Sequence, residues 1–373
     1  MKYYLIAGEA SGDLHASNLM KSIKRNDAEA SFRGFGGERM QTEGLQLVKH
    51  YKELAFIGFW EVLKHLRTIL RNIKLCKQDI LDFQPDTVIL VDYPGFNLRI
   101  ASFLKEQGIK VIYYISPQVW AWHASRVKKI QKVVDRMLVI LPFEKDFYAQ
   151  YGMDVDFVGH PLLDAMEQFP FNKNMHKDYR LDERPLIALL PGSRTGEIQS
   201  MLPVFVSLSN QFPQYQFAVA GLSQHGESFY REITGDSTVK IVIDETYSLL
   251  NIAYAAIVTS GTATLETALL DVPQVVAYKG GWLNYLIGSY VVNVDYISLV
   301  NIVMDEPVLQ ELIQEELDEG NLKLAFEKLL KEGNRDRFKE KYAELRKKLG
   351  GTGASVRAAE IIQQEVQRNE NNV

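Results

Sequence analysis

The chain holds a single cysteine, Cys76, among its 373 residues, so neither an intrachain disulfide nor a thiolate zinc site can form. That usage fits a reducing, cytoplasmic compartment. No apolar run approaches the roughly 18 residues a transmembrane helix needs, and no secretory signal precedes the first strand-like run, Lys2–Ala7. The Walker pattern G-x-x-x-x-G-K-[ST] is missing, and no G-x-G-x-x-G follows the first strand. Those gaps remove the main support for a P-loop enzyme and for a dinucleotide dehydrogenase. No Asp-x-Asp pair stands out as a metal site, so neither metal nor cofactor is expected. With no basic stripe and no recognisable nucleic-acid module, no nucleic-acid partner is expected either.

What is present is globular, with 46% hydrophobic and 24% charged residues. The net charge of −5 is unevenly spread. Residues 1–160 carry 22 Lys and Arg against 18 Asp and Glu, net +4, and the remainder is net −9. A mildly basic first half favours an anionic partner such as a phosphate or a lipid headgroup.

Short apolar runs alternate with helical patterns. Tyr3–Ala7, Thr87–Val91, Val111–Ile115, Met137–Leu141 and Val155–Val158 read as strands. After the polar stretch Phe169–Arg184 the series restarts with Leu186–Leu190, Phe217–Ala220, Lys240–Ile243, Ala256–Thr259 and Gln274–Ala277. Runs apolar on both faces belong to parallel strands covered by helices. The expected fold class is therefore α/β, with two doubly wound Rossmann-like domains and a central cleft between them as the usual ligand site. The expected domains are 1–168 and 169–345. A helical segment, 346–373, contains a break at Gly350–Gly353 and is free to cross back to the first domain.

Two turns in the second series have the chemistry of an anion site. Ala256-Ile-Val-Thr-Ser-Gly-Thr-Ala-Thr-Leu-Glu266 runs from strand through Gly261 into a helix beginning near Thr262. A helix N-terminus offers unpaired N–H groups and partial positive charge to a phosphate, and the Glu266 carboxylate can accept from ribose hydroxyls. Earlier, Leu186-Ile-Ala-Leu-Leu-Pro-Gly-Ser-Arg194 ends a strand in a turn where Ser193 can cap and Arg194 can clamp phosphate bidentately. Diphosphate plus ribose describes a nucleotide.

In the first series, Ala7-Gly-Glu-Ala-Ser-Gly-Asp13 follows the first strand, with Ser11 or Asp13 as candidate caps and Glu9 on the loop. A glycine-rich turn, Phe32–Gly37, is expected after the next strand. Val91-Asp-Tyr-Pro-Gly-Phe-Asn97 places Asp92 at another strand's carboxyl end. Glu9 and Asp92 are the candidate bases for an alcohol that loses its proton while attacking. The run from Tyr113 to Ile130 carries Trp120, Trp122 and His123, then Arg126, Lys128 and Lys129. Its aromatics suit either stacking on a sugar or packing in the core, and His123 either a base or a structural imidazole. Phe56–Lys77 alternates apolar residues with Lys64, Arg67, Arg71, Lys74 and Lys77, and its apolar head, Phe56–Trp60, suits an anionic bilayer. A helix packed on the sheet fits the same periodicity.

Taken in order, AGEASGD (7–13), YPGFN (93–97), SPQVWAWHASRVKKI (116–130), LPFEKDFY (141–148), FVGHPLLD (157–164), LLPGSR (189–194), SGTATLE (260–266) and DYISLVN (295–301) resemble the lipid-A-disaccharide synthase family of GT-B glycosyltransferases. The resemblance runs nearly end to end. It implies transfer of 2,3-diacylglucosamine from UDP-2,3-diacylglucosamine to 2,3-diacylglucosamine 1-phosphate, giving a β-1,6-linked disaccharide at the cytoplasmic face of the inner membrane. It also implies Arg194 on the diphosphate, Glu266 on the ribose and Asn301 near the donor. Two positions depart from the family pattern. Gly95 stands where many members have the second aspartate of D-x-P-D-F-N, and Val300 replaces a proline. With Gly95 unable to act, the base falls to Asp92 or Glu9. The rival expectation is another UDP-hexosamine enzyme on the same architecture, an epimerase or a transferase for soluble acceptors.

Overall fold

The computed structural model describes residues 1–54, 66–122, 126–280 and 295–370. The Phe56–Trp60 loop and His123 lie outside them, as does the side chain of Trp122. The described chain divides into two compact units, Met1–Gln168 with the segment from Leu349 onward, and Phe169–Lys348.

The first unit is built on β1 (Lys2–Ala7), β2 (Ser31–Gly36), β3 (Leu45–His50), β4 (Thr87–Val91), β5 (Val111–Tyr114), β6 (Arg136–Val139) and β7 (Asp156–Phe157), in the order β3-β2-β1-β4-β5-β6-β7. The second holds β8 (Leu186–Leu190), β9 (Gln216–Gly221), β10 (Lys240–Ile243), β11 (Ala255–Thr259), β12 (Gln274–Tyr278) and β13 (Gln310–Ile313), in the order β10-β9-β8-β11-β12-β13. Every pairing described is parallel. Both orders are doubly wound, so each sheet has one point where consecutive windings diverge and a crevice opens at the strand ends. That point lies between β1 and β4 in the first sheet and between β8 and β11 in the second.

The strands sit there because they are apolar on both faces. In β1, Tyr4 and Ile6 join one buried cluster with Val88, Leu90 and Tyr113. Tyr3, Leu5 and Ala7 join the opposite one with Ile89, Val91, Ile112 and Tyr114. The second cluster is closed by Ala358, Ala359, Ile362 and Val366 of the C-terminal helix Ala354–Glu370. Side-chain contacts also hold that helix to the first unit, among them Lys110 Nζ to Glu365 Oε1 at 2.8 Å and Gln363 Nε2 to the Ile23 carbonyl at 3.1 Å. The Asp164 carboxylate accepts from the backbone N–H groups of Gly353 (2.6 Å) and Ser355 (2.8 Å) at its start, and Arg357 Nε donates to the Val158 carbonyl at 2.8 Å.

The structure corrects two local expectations in this unit. Phe32–Gly36 is no turn after a strand; it lies within β2, where Gly34 packs so closely on β1 that a Cβ would collide with the Leu5 carbonyl oxygen. Asp13 does not cap its own helix, Ala10–Asn26. Its carboxylate instead accepts from the N–H groups of Gly37 (2.7 Å), Arg39 (3.1 Å) and Met40 (3.1 Å), capping the neighbouring helix Glu38–Thr42.

Candidate active site

Both candidate constellations fall on the two divergence points. In the second unit the turns after β8 and β11 enclose a cavity of about 230 Å³. Gly192, Ser193 and Glu197 line it from one side, and Ser260, Gly261, Thr262 and Glu266 from the other. Thr262 opens the helix Thr262–Leu269, with Gly261 at its N-cap and no side-chain cap, so the helix's first N–H groups face the cavity head. Glu266 is half-buried, and its Oε1 accepts from the Tyr247 hydroxyl at 2.7 Å. Burial raises the carboxyl's pKa, and that hydrogen bond opposes the rise.

The other turn differs from expectation. Arg194, not Ser193, is the N-cap of the helix Thr195–Gln211, and no side chain caps it. The Ser193 carbonyl is held by Gln224 Nε2 at 3.0 Å and lies 2.9 Å from His225 Nε2. Arg194 is 69% exposed and donates to Glu197 Oε1 at 2.9 Å, while Glu197, at 18%, is the one of the pair that lines the cavity. Asn301 stands apart. Buried in the helix Leu299–Met304, it donates both amide hydrogens, to the Leu309 carbonyl (3.0 Å) and Glu311 Oε1 (2.9 Å), and accepts from Leu309 N–H (2.8 Å). Those bonds tie its helix to β13. Asn301 lines a separate cavity of about 470 Å³ along that edge strand, and not the one holding Glu266.

In the first unit, Glu9 follows β1 and Asp92 follows β4, on adjacent strands. Asp92 and Tyr93 are both left-handed, with φ of +45° and +49°, a conformation that costs energy without glycine. Surrounding bonds enforce it. Asp92 N–H donates to the Tyr114 carbonyl (3.1 Å), and the Asp92 carbonyl accepts from Tyr113 Oη (2.6 Å) and Asn97 Nδ2 (2.7 Å). Tyr93 packs over Gly8, where a Cβ would collide with its ring, and its hydroxyl donates to the Leu54 carbonyl at 2.9 Å. Burial first, and the Glu9 charge second, push the Asp92 carboxyl up to about 6. Glu9 is exposed, at the N-cap of the helix Ala10–Asn26.

The aromatic loop after β5 begins at Ile115, whose φ of +65° is rare for a β-branched residue. Ser116 Oγ is 2.7 Å from Tyr148 Oη, which belongs to the helix Pro142–Ala149. Trp120 packs edge-on against Phe143 at 4.9 Å, so for this tryptophan packing is the role observed. Glu144 is a group the sequence reading missed. It is 1% exposed, accepts from the Ile140 (3.1 Å) and Leu141 (2.9 Å) N–H groups, and burial pushes its carboxyl up to about 7.

Two parallel doubly wound units, each with a crevice where its windings diverge, define the GT-B fold class. Solved structures bear out the fold. The UDP co-structure of MnaA from S. aureus aligns with TM-score 0.71 at 12% identity, covering 100% of this chain and 97% of the other. The kitacinnamycin glycotransferase aligns with TM-score 0.66 at 14% identity, covering 98% and 99%. Transferases and UDP-GlcNAc 2-epimerases share this architecture, so fold alone does not choose between them.

Sequence does choose. The family model described as lipid-A-disaccharide synthetase matches residues 3–366. The lipid-A-disaccharide synthase of Syntrophus aciditrophicus is 42% identical over 366 residues, 95% of each chain. That of Geobacter metallireducens is 39% identical over 366 residues, 96% of this chain and 95% of its own. The Coxiella burnetii enzyme is 38% identical over 317 residues, 84% of each. The chain belongs to the lipid-A-disaccharide synthase family and is a glycosyltransferase of lipid A biosynthesis.

Proposed function

We propose that the chain joins UDP-2,3-diacylglucosamine to 2,3-diacylglucosamine 1-phosphate, forming the β-1,6-linked disaccharide 1-phosphate and UDP. The observation that carries this reading is the Gly192–Glu197 and Ser260–Glu266 crevice at the β8/β11 divergence, in a chain of this family. The UDP diphosphate sits against the Thr262 helix N-terminus with Arg194 turned onto it, and Glu266 accepts from the ribose hydroxyls. Asn301 is left out of this set because its amide is already engaged within the fold.

Asp92 is the general base. It removes the proton of the acceptor 6-hydroxyl as that oxygen bonds to C1 of the donor sugar, and the C1–O bond to the diphosphate breaks. Inversion at C1 follows from in-line displacement. A carboxyl titrating near 6 is a better proton acceptor than an ordinary aspartate and is still ionised at neutral pH. The leaving diphosphate's charge is met by Arg194 and the helix N-terminus, contacts worth on the order of 3 kcal/mol in the barrier. No metal takes part in this scheme.

The acyl chains of both substrates place the reaction at an anionic membrane surface. No described helix is long and apolar enough to cross a membrane. The helix Leu66–Phe83 instead buries Ile73, Cys76 and Ile80 and exposes Leu66 (43%), Leu70 (54%) and Leu81 (39%). Leu66, Leu70 and Leu81 fall on one flank of the buried stripe together with Lys74 and Lys77, a composition suited to lying on anionic headgroups, while Leu75 (42%) is exposed off that flank.

The test is incubation of the purified protein with both substrates in mixed micelles containing a chelator, read by mass spectrometry. Tetra-acylated disaccharide phosphate is the expected product. Activity that vanishes with chelator and returns with Mg²⁺ or Mn²⁺ would overturn the metal-free scheme, and conversion of free UDP-sugars without disaccharide would overturn the reaction.

A further inference from the structure

Glu197 places a carboxylate in the crevice assigned to the diphosphate, and that is an odd group to find there. It is the third residue of the helix Thr195–Gln211, close enough to the Pro191-Gly192-Ser193 turn that a Cβ on Gly192 would lie 2.8 Å from its Oε2. Gly192 has φ +97°, so the turn admits this approach only with glycine. The carboxylate thus sits at the positive end of its own helix, lining the same cavity as the Thr262 helix N-terminus assigned to the diphosphate. Its Oε1 also holds the Arg194 guanidinium at 2.9 Å. Arg194 itself is largely exposed and does not line the cavity. The turn beneath is fixed, since Gln224 Nε2 donates to the Ser193 carbonyl at 3.0 Å. Side chains, not backbone, are therefore what can rearrange.

We propose that Glu197 is a displaceable anion that competes with the UDP diphosphate for Arg194, and so speeds UDP release after transfer. The inference rests on the nucleotide reading of this crevice. In the free protein Glu197 neutralises Arg194. Bound diphosphate draws Arg194 away and faces the Glu197 charge, which weakens its hold. Departure of UDP restores the internal pair. An acid at this position weakens the hold on the diphosphate of donor and product, and most on UDP, which carries the charge freed when the C1–O bond breaks.

The test compares UDP dissociation constants by calorimetry for the unaltered protein, Glu197→Gln and Arg194→Ala, together with UDP product inhibition during disaccharide formation. Glutamine keeps the shape and removes the charge. Glu197→Gln is expected to bind UDP about tenfold more tightly, the scale for removing one partly screened like charge, with stronger product inhibition and no gain in kcat. Arg194→Ala is expected to bind UDP more weakly. Unchanged or weaker UDP binding by Glu197→Gln would overturn the proposal, and in the weaker case Glu197 is a residue that positions Arg194. Absence of UDP binding by the unaltered protein would overturn the nucleotide reading itself, an outcome distinct from both.

Discussion

Asp92 and Gly95 sit three residues apart at the end of β4, and the chemistry of this chain turns on what each can contribute. Gly95 is the second residue of the helix Pro94–Glu106, is exposed, and has nothing within 4 Å of where a Cβ would lie. A carboxylate installed there costs no packing and sits favourably at a helix N-terminus. Gly95→Asp is therefore expected to fold normally. In an Asp92→Asn background it is expected to raise the initial rate of disaccharide formation by ~10-fold or more, by restoring a base to the same loop. No recovery in the double variant would show that position 95 cannot serve the hydroxyl in this chain. Which residues matter at this scale was only partly legible beforehand. Glu9, Asp92 and Arg194 announce themselves by standing just past strand ends, and Glu266 by lying in the helix that follows one. Glu197 and Tyr247 do not, and the partners of Asp13 and Asn301 are not readable either, because they are fixed by the fold or by side-chain geometry: Asp13 meets Gly37, Tyr247 meets Glu266 and Asn301 meets Glu311.

At the scale of elements, the uninterrupted apolar runs Thr87–Val91, Leu186–Leu190 and Lys240–Ile243 become strands with those same bounds. The edge strands Leu45–His50 and Gln310–Ile313 went unread. An edge strand is covered on fewer sides, and here both are only partly buried, so neither shows a continuous apolar run. Helix roles were harder still. The period of Leu66–Phe83 fits both a packed and a membrane-facing helix, and the structure splits its apolar residues between a buried stripe, an exposed flank and Leu75, exposed apart from both. Replacing Leu66, Leu70 and Leu81 together with serine is expected to cut co-sedimentation with anionic vesicles by ~10-fold or more, since each buried leucine side chain contributes about 1.5–3 kcal/mol. The far-UV spectrum and UDP affinity are expected to stay unchanged. Unaltered vesicle binding would place the membrane surface elsewhere.

The motif FVGHPLLD carried no assigned role in the sequence, and its purpose also lies at this scale. Through Asp164 and the Val158 carbonyl it receives the start of the helix Ala354–Glu370. Asp164→Ala leaves the Gly353 and Ser355 N–H groups without their acceptor. A loss of about 2 kcal/mol is expected, seen as a drop of roughly 4–8 °C in the melting of the first unit. An unchanged transition would mean that apolar packing and the remaining polar contacts, such as Lys110 with Glu365, seat the helix without Asp164.

For the whole molecule, two parallel sheets of the same winding order divide the work. In the proposed reaction the second supplies the phosphate- and ribose-binding groups, and the first offers a carboxylate with raised proton affinity. The βα alternation made this architecture readable, because strand order and divergence points follow from right-handed crossovers. The division of charge has the same sense, with the basic first half suited to anionic lipid. The central claim is that Asp92 is the base, with Glu9 raising its proton affinity. The most direct measurement is the initial rate of disaccharide formation against pH, from about 5 to 8, for the unaltered protein, Asp92→Asn and Glu9→Gln. The rate is expected to rise with pH through an apparent pKa near 6 as the carboxyl ionises. Glu9→Gln removes a neighbouring negative charge and is expected to move that limb toward lower pH with the reaction retained. Asp92→Asn is expected to lose ~100-fold or more in rate together with the limb. A limb that survives in Asp92→Asn, or a reaction abolished by Glu9→Gln alone, would contradict the assignment.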